Sequence, residues 1–158
     1  MIFNHHQLLT KLYNFMKKPI SLIAIASSQT AKIFEKIGSK KFDFNLICEM
    51  EAVLDSNHEK PGRAFNSVTL RHGIEPHTNR RQVEKHQFAT KISQTLAGLN
   101  SKNHYDDLVI MGSHKMLEEL EKTLNMPLKQ KMAHRIPKDI VGFTNNDIKK
   151  YIGQSLIK

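Results

Sequence analysis

The chain has 158 residues, and its 24 lysines and arginines against 15 aspartates and glutamates leave a formal net charge of +9 at pH 7. This length suits one domain, and a hydrophobic fraction of 39% with a charged fraction of 25% excludes wholesale disorder, collagen-like repeats and a coiled coil. The single cysteine, Cys48, excludes an internal disulfide and any zinc site that needs four cysteines, or two cysteines with two histidines.

Residues 1–19 are predicted to form a helical extension. Apolar residues recur at helical spacing from Asn4 to Met16, and Pro19 ends the helix because the residue before a proline avoids the helical region. Two interpretations stay open: an appendage packed on the core, or a docking arm for a protein partner. The apolar stretch before Ala24-Ile25-Ala26 is shorter than the ~7–15 residues of a secretory signal, which favours a buried strand there.

Three strands are predicted next, over Ile20–Ala26, Thr30–Ile37 and Phe42–Val53, with a hairpin at Ser27-Ser28-Gln29. Their short connections indicate an antiparallel meander. The longest apolar run, Ile20–Ala26, is far below the ~18 residues of a membrane span. We therefore expect a soluble, cytoplasmic protein with no membrane span.

A long loop, Asp55–Asn79, separates the meander from the second half of the chain, and loops of this length are generally functional or disordered. A helix is predicted to start at Asn79, which forms a capping-box-like pair with Gln82. The remaining predicted elements are a buried strand over Leu108–Met111, a helix capped by Ser113, and a last helix capped by Thr144 with Asp147.

The predicted fold class follows from this order of elements. Residues 20–158 are expected to form a single α/β domain, whose mixed sheet combines the three-strand antiparallel meander with one further strand and carries helices on its faces.

The positive charge is concentrated in three segments of the sequence. Residues 57–91 hold seven bases against three acids, residues 126–158 hold seven against two, and residues 1–19 hold three lysines and no acid. If these segments share one face, they form a patch suited to a phosphate-rich partner. The other interpretation is a generally basic surface without such a partner.

The central loop supplies the candidate site. Arginine forks fit phosphate bidentately, and turn N–H groups can supplement them. The alternative is that Arg71 pairs with Glu75 or Glu84 to hold the loop in place. The predicted phosphate- or RNA-binding residues are Lys60, Arg63, Arg71, His72, Arg80 and Arg81, and the predicted loop-organising residues are Gly62, Phe65, Glu75, Pro76 and Glu84.

Patterns that would specify catalysis are weak. Nine histidines include His72, His77 and His86, but no H-E-x-x-H spacing is present, and the P-loop, G-x-G-x-x-G and G-x-S-x-G patterns are absent. No cofactor, metal or catalytic residue is therefore predicted. A metal-assisted nuclease or hydrolase that uses Glu75, His72 and Asp106 is kept as an alternative.

Several stretches together resemble a known family. They carry the motifs P-G-R-x-F, at residues 61–65, and R-H-x-x-E-P-x-T, at residues 71–78, followed by Glu84–Ala89. Shorter likenesses occur at Ala31–Glu35, Tyr105–Ile110 and Ile136–Ile140. The sequence thereby resembles the bacterial host attachment protein family ("protein required for attachment to host cells") over residues 20–157.

The resemblance implies an α/β fold of the ribonuclease-H-like type, similar to the middle domain of archaeal and eukaryotic peptide-release factors. It implies links to translation and to attachment, but it supplies no catalytic residue. This chain has Asn66 and Asn79 where the family commonly has Asp, which weakens metal-dependent hydrolysis. It has Gly112-Ser113 where the family often has a Pro-Pro turn, and that turn can still cap a helix and offer N–H groups to an anion.

Three functional hypotheses result. The favoured one is a non-catalytic binding protein that engages an RNA-rich partner such as the ribosome through the basic loop. The second is the metal-assisted hydrolase. The third is a protein-interaction factor in host-cell attachment, with the N-terminal helix as its docking arm.

Overall fold

The computed structural model describes residues 19–38, 43–53 and 77–156, with the backbone alone for residues 77–79. Within these ranges the strands are β1 (Ile20–Ala26), β2 (Thr30–Ile37), β3 (Phe44–Glu51), β4 (Asp107–Gly112) and β5 (Met132–Ile136). The helices are α1 (His77–Asn103), α2 (His114–Thr123), α3 (Met126–Lys131) and α4 (Asn145–Ser155). The predicted N-terminal helix and most of the predicted central loop lie outside the described residues.

The strands form one mixed sheet in the order β3-β2-β1-β4-β5. β1 pairs antiparallel with β2, and β2 pairs antiparallel with β3, so the predicted meander is confirmed. β4 lies parallel to β1, with Ala26 opposite Gly112 at the end of the register. The predicted α/β fold class with a mixed sheet is confirmed.

The sequence prediction missed β5, which lies parallel to β4 at the edge of the sheet. Its five residues include His134 and Arg135 and none of its side chains is fully buried, so it lacks the apolar run that revealed β1. The short helix α3 was also missed. It spans only six residues and carries a proline in its first turn, so it has too few turns to show a helical period.

The sheet is covered on both faces. On one face, Leu22, Ala24 and Ala26 of β1 pack in a buried cluster with residues of α1, α2 and α3. On the other face, Ile23 and Ile25 pack in a second cluster with residues of α4. Burial on both faces explains why β1 reads as a nearly continuous apolar run and not as an alternating one.

Helix caps were predicted with mixed success. The Ser113 hydroxyl accepts a hydrogen bond from the Met116 N–H at 3.4 Å, which confirms it as the α2 cap. Thr144 caps α4, accepting from the Asp147 N–H at 3.2 Å and donating to the Asp147 carboxylate at 2.7 Å. The predicted cap at Asn79 is wrong, because α1 begins at His77 and Asn79 already lies in its first turn.

Removing the α2 cap should destabilise the protein. Ser113→Ala leaves the Met116 N–H without its side-chain acceptor, and the loss of such a cap costs about 1 kcal/mol of unfolding free energy. Urea denaturation of both proteins measures this difference. Ser101→Ala is the control, because its hydroxyl bonds only to the Ala97 carbonyl within α1, and alanine there should cost almost nothing. Equal losses in the two variants would contradict the capping role.

Candidate functional site

A crevice lies at one end of the strands of the sheet. The carboxyl ends of the parallel strands β1 and β4 meet there, at Ala26 and Gly112. After β1 the chain turns back through residues 27–29 into β2, whereas after β4 it enters α2 and proceeds to β5. The two connections diverge from neighbouring strands, and crevices of this kind are where ligands bind in open α/β sheets.

Gly112 allows the two strand ends to approach closely. A Cβ atom on Gly112 would collide with the carbonyl oxygen of Ala26, which belongs to the main chain and cannot rotate away. The residue that follows, Ser113, is the α2 cap. The absence of a side chain at Gly112 therefore allows the start of α2 to lie against the end of β1.

Two adjoining cavities open at this end of the strands. The larger, of about 700 Å³, lies between α1 and α2. The smaller, of about 530 Å³, lies against the strand ends. The first is lined by Arg81, Gln82, Lys85, Lys115, Glu118, Glu119 and Lys122, and the second by Ser28, Gln29, Ala52, Arg81, Glu84, Lys85, Ser113 and Lys115.

Three cations line both cavities: Arg81 and Lys85 of α1, and Lys115 of α2. We call these three residues the cationic junction and the two cavities together the basic groove. The larger cavity is its interhelix half, and the smaller cavity is its strand-end half. Within the described part of the chain, the side chains of the cationic junction make no hydrogen bond or ion pair. Their charges are available to an anionic ligand.

Most of the other charged residues that line the groove form ion pairs, unlike the cationic junction. Lys122 donates to Glu119 at 2.9 Å, and His86 Nδ1 lies 3.1 Å from the second oxygen of the same carboxylate. The Lys122 hydrogen bond, helped by His86, lowers the pKa of Glu119 below its ordinary value. Glu84 pairs with Arg80 one helical turn away, at 3.1 Å. Glu118 is the remaining carboxylate of the interhelix half.

Two of the six predicted phosphate-binding residues fall in the described ranges, and the structure separates them. Arg81 belongs to the cationic junction. Arg80 is ion-paired with Glu84 one turn along α1, whereas the predicted alternative pairing of Arg71 involves a residue outside the described ranges. The remaining predicted site residues lie outside the described residues: Lys60, Gly62, Arg63, Phe65, Arg71, His72, Glu75 and Pro76.

Sequence reasoning missed Lys85, Lys115 and Gln29 as lining residues of the groove. Lys85 follows Arg81 at a spacing of four, which places both on one face of a helix and was a usable signal. Lys115 and Gln29 carried no such signal, because only the parallel pairing of β1 with β4 brings their segments to the same end of the sheet's strands.

Of the three residues proposed for hydrolysis, only Asp106 is described, and it lies away from the groove. Asp106 precedes β4 and accepts from the Ile20 N–H at 2.9 Å, at the amino end of β1. That position is at the opposite end of the strands, about 20 Å from the groove along the length of a six-residue strand. Glu75 and His72 lie outside the described residues. Among the side chains that the structure describes, no three histidines, cysteines or acids cluster as a metal site would require.

The contact of Glu119 with Lys122 predicts a small dependence of stability on pH. Because the pKa of Glu119 is lowered in the folded protein, its contribution is present above the ordinary carboxyl pKa and is lost as the pH falls through the folded value. Glu119→Gln should cost about 0.5 kcal/mol near pH 7, the usual scale for an exposed pair, and nothing at strongly acidic pH.

Denaturation of Glu119→Gln and the wild-type protein at both pH values measures that difference. Glu118→Gln is the matched control, since no hydrogen bond or ion pair of its carboxylate is recorded within the described residues. A cost for Glu119→Gln that persists unchanged in acid would contradict the assignment.

The fold and groove define an α/β domain with a candidate anion-binding surface. The chain belongs to the family described as "Protein required for attachment to host cells", whose model matches residues 22–152. The resemblance predicted from the sequence motifs is thereby confirmed.

The chain is also similar to an uncharacterized protein of Rickettsia prowazekii (strain Madrid E), with 27% identity over 127 residues, 77% of this chain and 85% of the relative. Among solved structures it is similar to one titled "Archaeal protein" (TM-score 0.47, 15% identity) and to the archaeal translation termination factor aRF1 (TM-score 0.49, 14% identity). Each alignment covers 85% of this chain and spans just over a third of the solved chain, 35% and 37%.

None of the described helices is both long enough and apolar enough to cross a bilayer.

Proposed function

We propose that this protein is a non-catalytic, cytoplasmic binding protein that engages an RNA-rich partner, such as the ribosome, through the basic groove. The observation that carries the proposal is the cationic junction, where Arg81, Lys85 and Lys115 converge from two helices without an ion-pair partner among the described residues. Three such charges suit the phosphates of a polynucleotide backbone.

The binding surface is proposed to extend into the segment that precedes α1. Lys60, Arg63, Arg71 and His72 are part of the proposal as further phosphate contacts. Arg81 lies near the start of α1, and the other proposed contacts precede this helix in the sequence. Residues 57–91 hold seven bases against three acids, which supports a continuous basic surface.

Two other functions are outcomes that a test must separate. A metal-assisted hydrolase would degrade RNA in a manner that a chelator stops. A protein-interaction factor in attachment would bind a protein partner with little dependence on salt. The groove favours neither, because the cations of the cationic junction, which have no ion-pair partner among the described residues, suit phosphate, while Asp106 lies at the other end of the strands.

Co-sedimentation of the full-length protein with bacterial ribosomes, at low and at high salt, tests the proposal. We expect pelleting at low salt that is lost at high salt and is competed by added RNA, because neutralised phosphates release counterions. Pelleting that ignores both salt and RNA, or no pelleting at any salt, would overturn it.

A further inference from the structure

The two halves of the basic groove differ in chemistry. The interhelix half carries the carboxylates of Glu118 and Glu119 beside Lys122. The strand-end half instead presents the hydroxyls of Ser28 and Ser113 and the amide of Gln29, and Glu84, the carboxylate among its described lining residues, is paired with Arg80. Apart from the cationic junction, which both halves share, the described lining of the interhelix half is partly acidic and that of the strand-end half is mainly uncharged and polar.

The polar groups of the strand-end half have hydrogen-bonding capacity to spare. Within the described ranges, the side chains of Ser28 and Gln29 make no hydrogen bond, and both residues are exposed. The Ser113 hydroxyl accepts from the Met116 N–H and keeps its own proton to donate. Gln29 is held in place by its backbone, whose carbonyl accepts from the Ala52 N–H at 2.7 Å.

We infer that the strand-end half binds the nucleoside that flanks a phosphate held at the cationic junction. This inference rests on the proposed function and adds the class of ligand: a ribonucleotide unit of single-stranded RNA, and not a bare polyphosphate. The amide of Gln29 offers a donor and an acceptor, which matches ribose hydroxyls and base edges. A cavity of about 530 Å³ is within the size range of small-ligand pockets.

The charge distribution also orients the ligand. A nucleoside carries no charge, so beyond the cationic junction it needs only hydrogen-bonding partners, which Ser28, Gln29 and Ser113 of the strand-end half supply. In the interhelix half, Glu118 disfavours a further phosphate, and Lys122 is already paired with Glu119. One phosphate at the junction with its nucleoside on the strand side is therefore the arrangement that best matches the groove.

Two probes separate this inference from the proposed function: a labelled single-stranded oligoribonucleotide of about 12 nucleotides and inorganic polyphosphate. The full chain carrying Ser28→Ala and Gln29→Ala is compared with the wild-type protein. Losing two hydrogen-bonding side chains should weaken RNA binding about tenfold. Polyphosphate binding should not change, because the cationic junction is intact.

Gln94→Ala, an exposed glutamine of α1 outside the residues that line the groove, is the control and should change neither affinity. Unaltered RNA binding by the Ser28→Ala, Gln29→Ala protein would overturn the inference, as would an equal loss for both probes. Wild-type protein that binds neither probe would instead overturn the proposed function and the inference with it. Both altered side chains are exposed, so circular dichroism should show wild-type folding.

Discussion

The variant Arg81→Gln, Lys85→Gln, Lys115→Gln is expected to lose most of its binding to ribosomes at low salt and to show a much flatter salt dependence. Each phosphate contact on a single strand contributes about 0.7 to the slope of log affinity against log salt, so three lost contacts should reduce it by about 2. The physical reason is that glutamine keeps a polar side chain but carries no charge, so it neutralises no phosphate and releases no counterion.

A matched variant controls for net charge. Lys102→Gln, Lys129→Gln, Lys150→Gln removes the same three charges from exposed positions on α1, α3 and α4 that are absent from the lining of the groove. We expect it to bind almost as the wild-type protein does. If the two variants weaken binding equally, the groove has no special role and only the overall positive charge matters.

Replacing Gly112 by alanine should destabilise the fold, and this is the largest effect we expect from one methyl group. The added Cβ would collide with the Ala26 carbonyl oxygen, so β4 and β1 must separate where their parallel pairing ends. Overpacking of this kind costs about 1–3 kcal/mol, which in a domain of this size lowers Tm by about 2–4 °C per kcal/mol.

Gly98→Ala is the matched control for the same chemical change. Gly98 lies inside α1, and a Cβ there would meet no atom within 4 Å. Because glycine is a poor helix former, alanine should stabilise α1 by about 0.5–1 kcal/mol. Thermal melting of both variants should therefore shift Tm in opposite directions. A fall in Tm for both, or for neither, would contradict the steric account of Gly112.

The binding prediction and the stability prediction concern the same place. If the start of α2 moves when Gly112 is replaced, Ser113 and Lys115 move with it, and the groove changes shape. Folded Gly112→Ala protein should therefore bind RNA more weakly than Gly98→Ala protein at equal occupancy of the native state. Equal binding would mean that the cations act without a fixed geometry.

Local patterns in the sequence were sufficient for much of the fold. β1 and β2 were predicted with the bounds that the structure shows, because an apolar run and a short hairpin are local signals. The caps at Ser113 and Thr144 were likewise predicted, since a capping side chain bonds only three residues away. β3 is shorter than its predicted range, and the start of α1 was misplaced, because helix and strand ends depend on neighbours outside the element.

The candidate site depended on tertiary structure. The sequence by itself determined the family, the meander, the excess of basic residues around α1 and the place of Arg81 among the candidate residues. Only the tertiary structure decided that Arg80 pairs with Glu84 and that Lys115 joins Arg81 and Lys85. It also decided that Asp106 lies at the end of the strands opposite the groove. The reason is physical: charge and period are local properties, whereas the groove arises where parallel pairing joins residues that lie more than eighty positions apart.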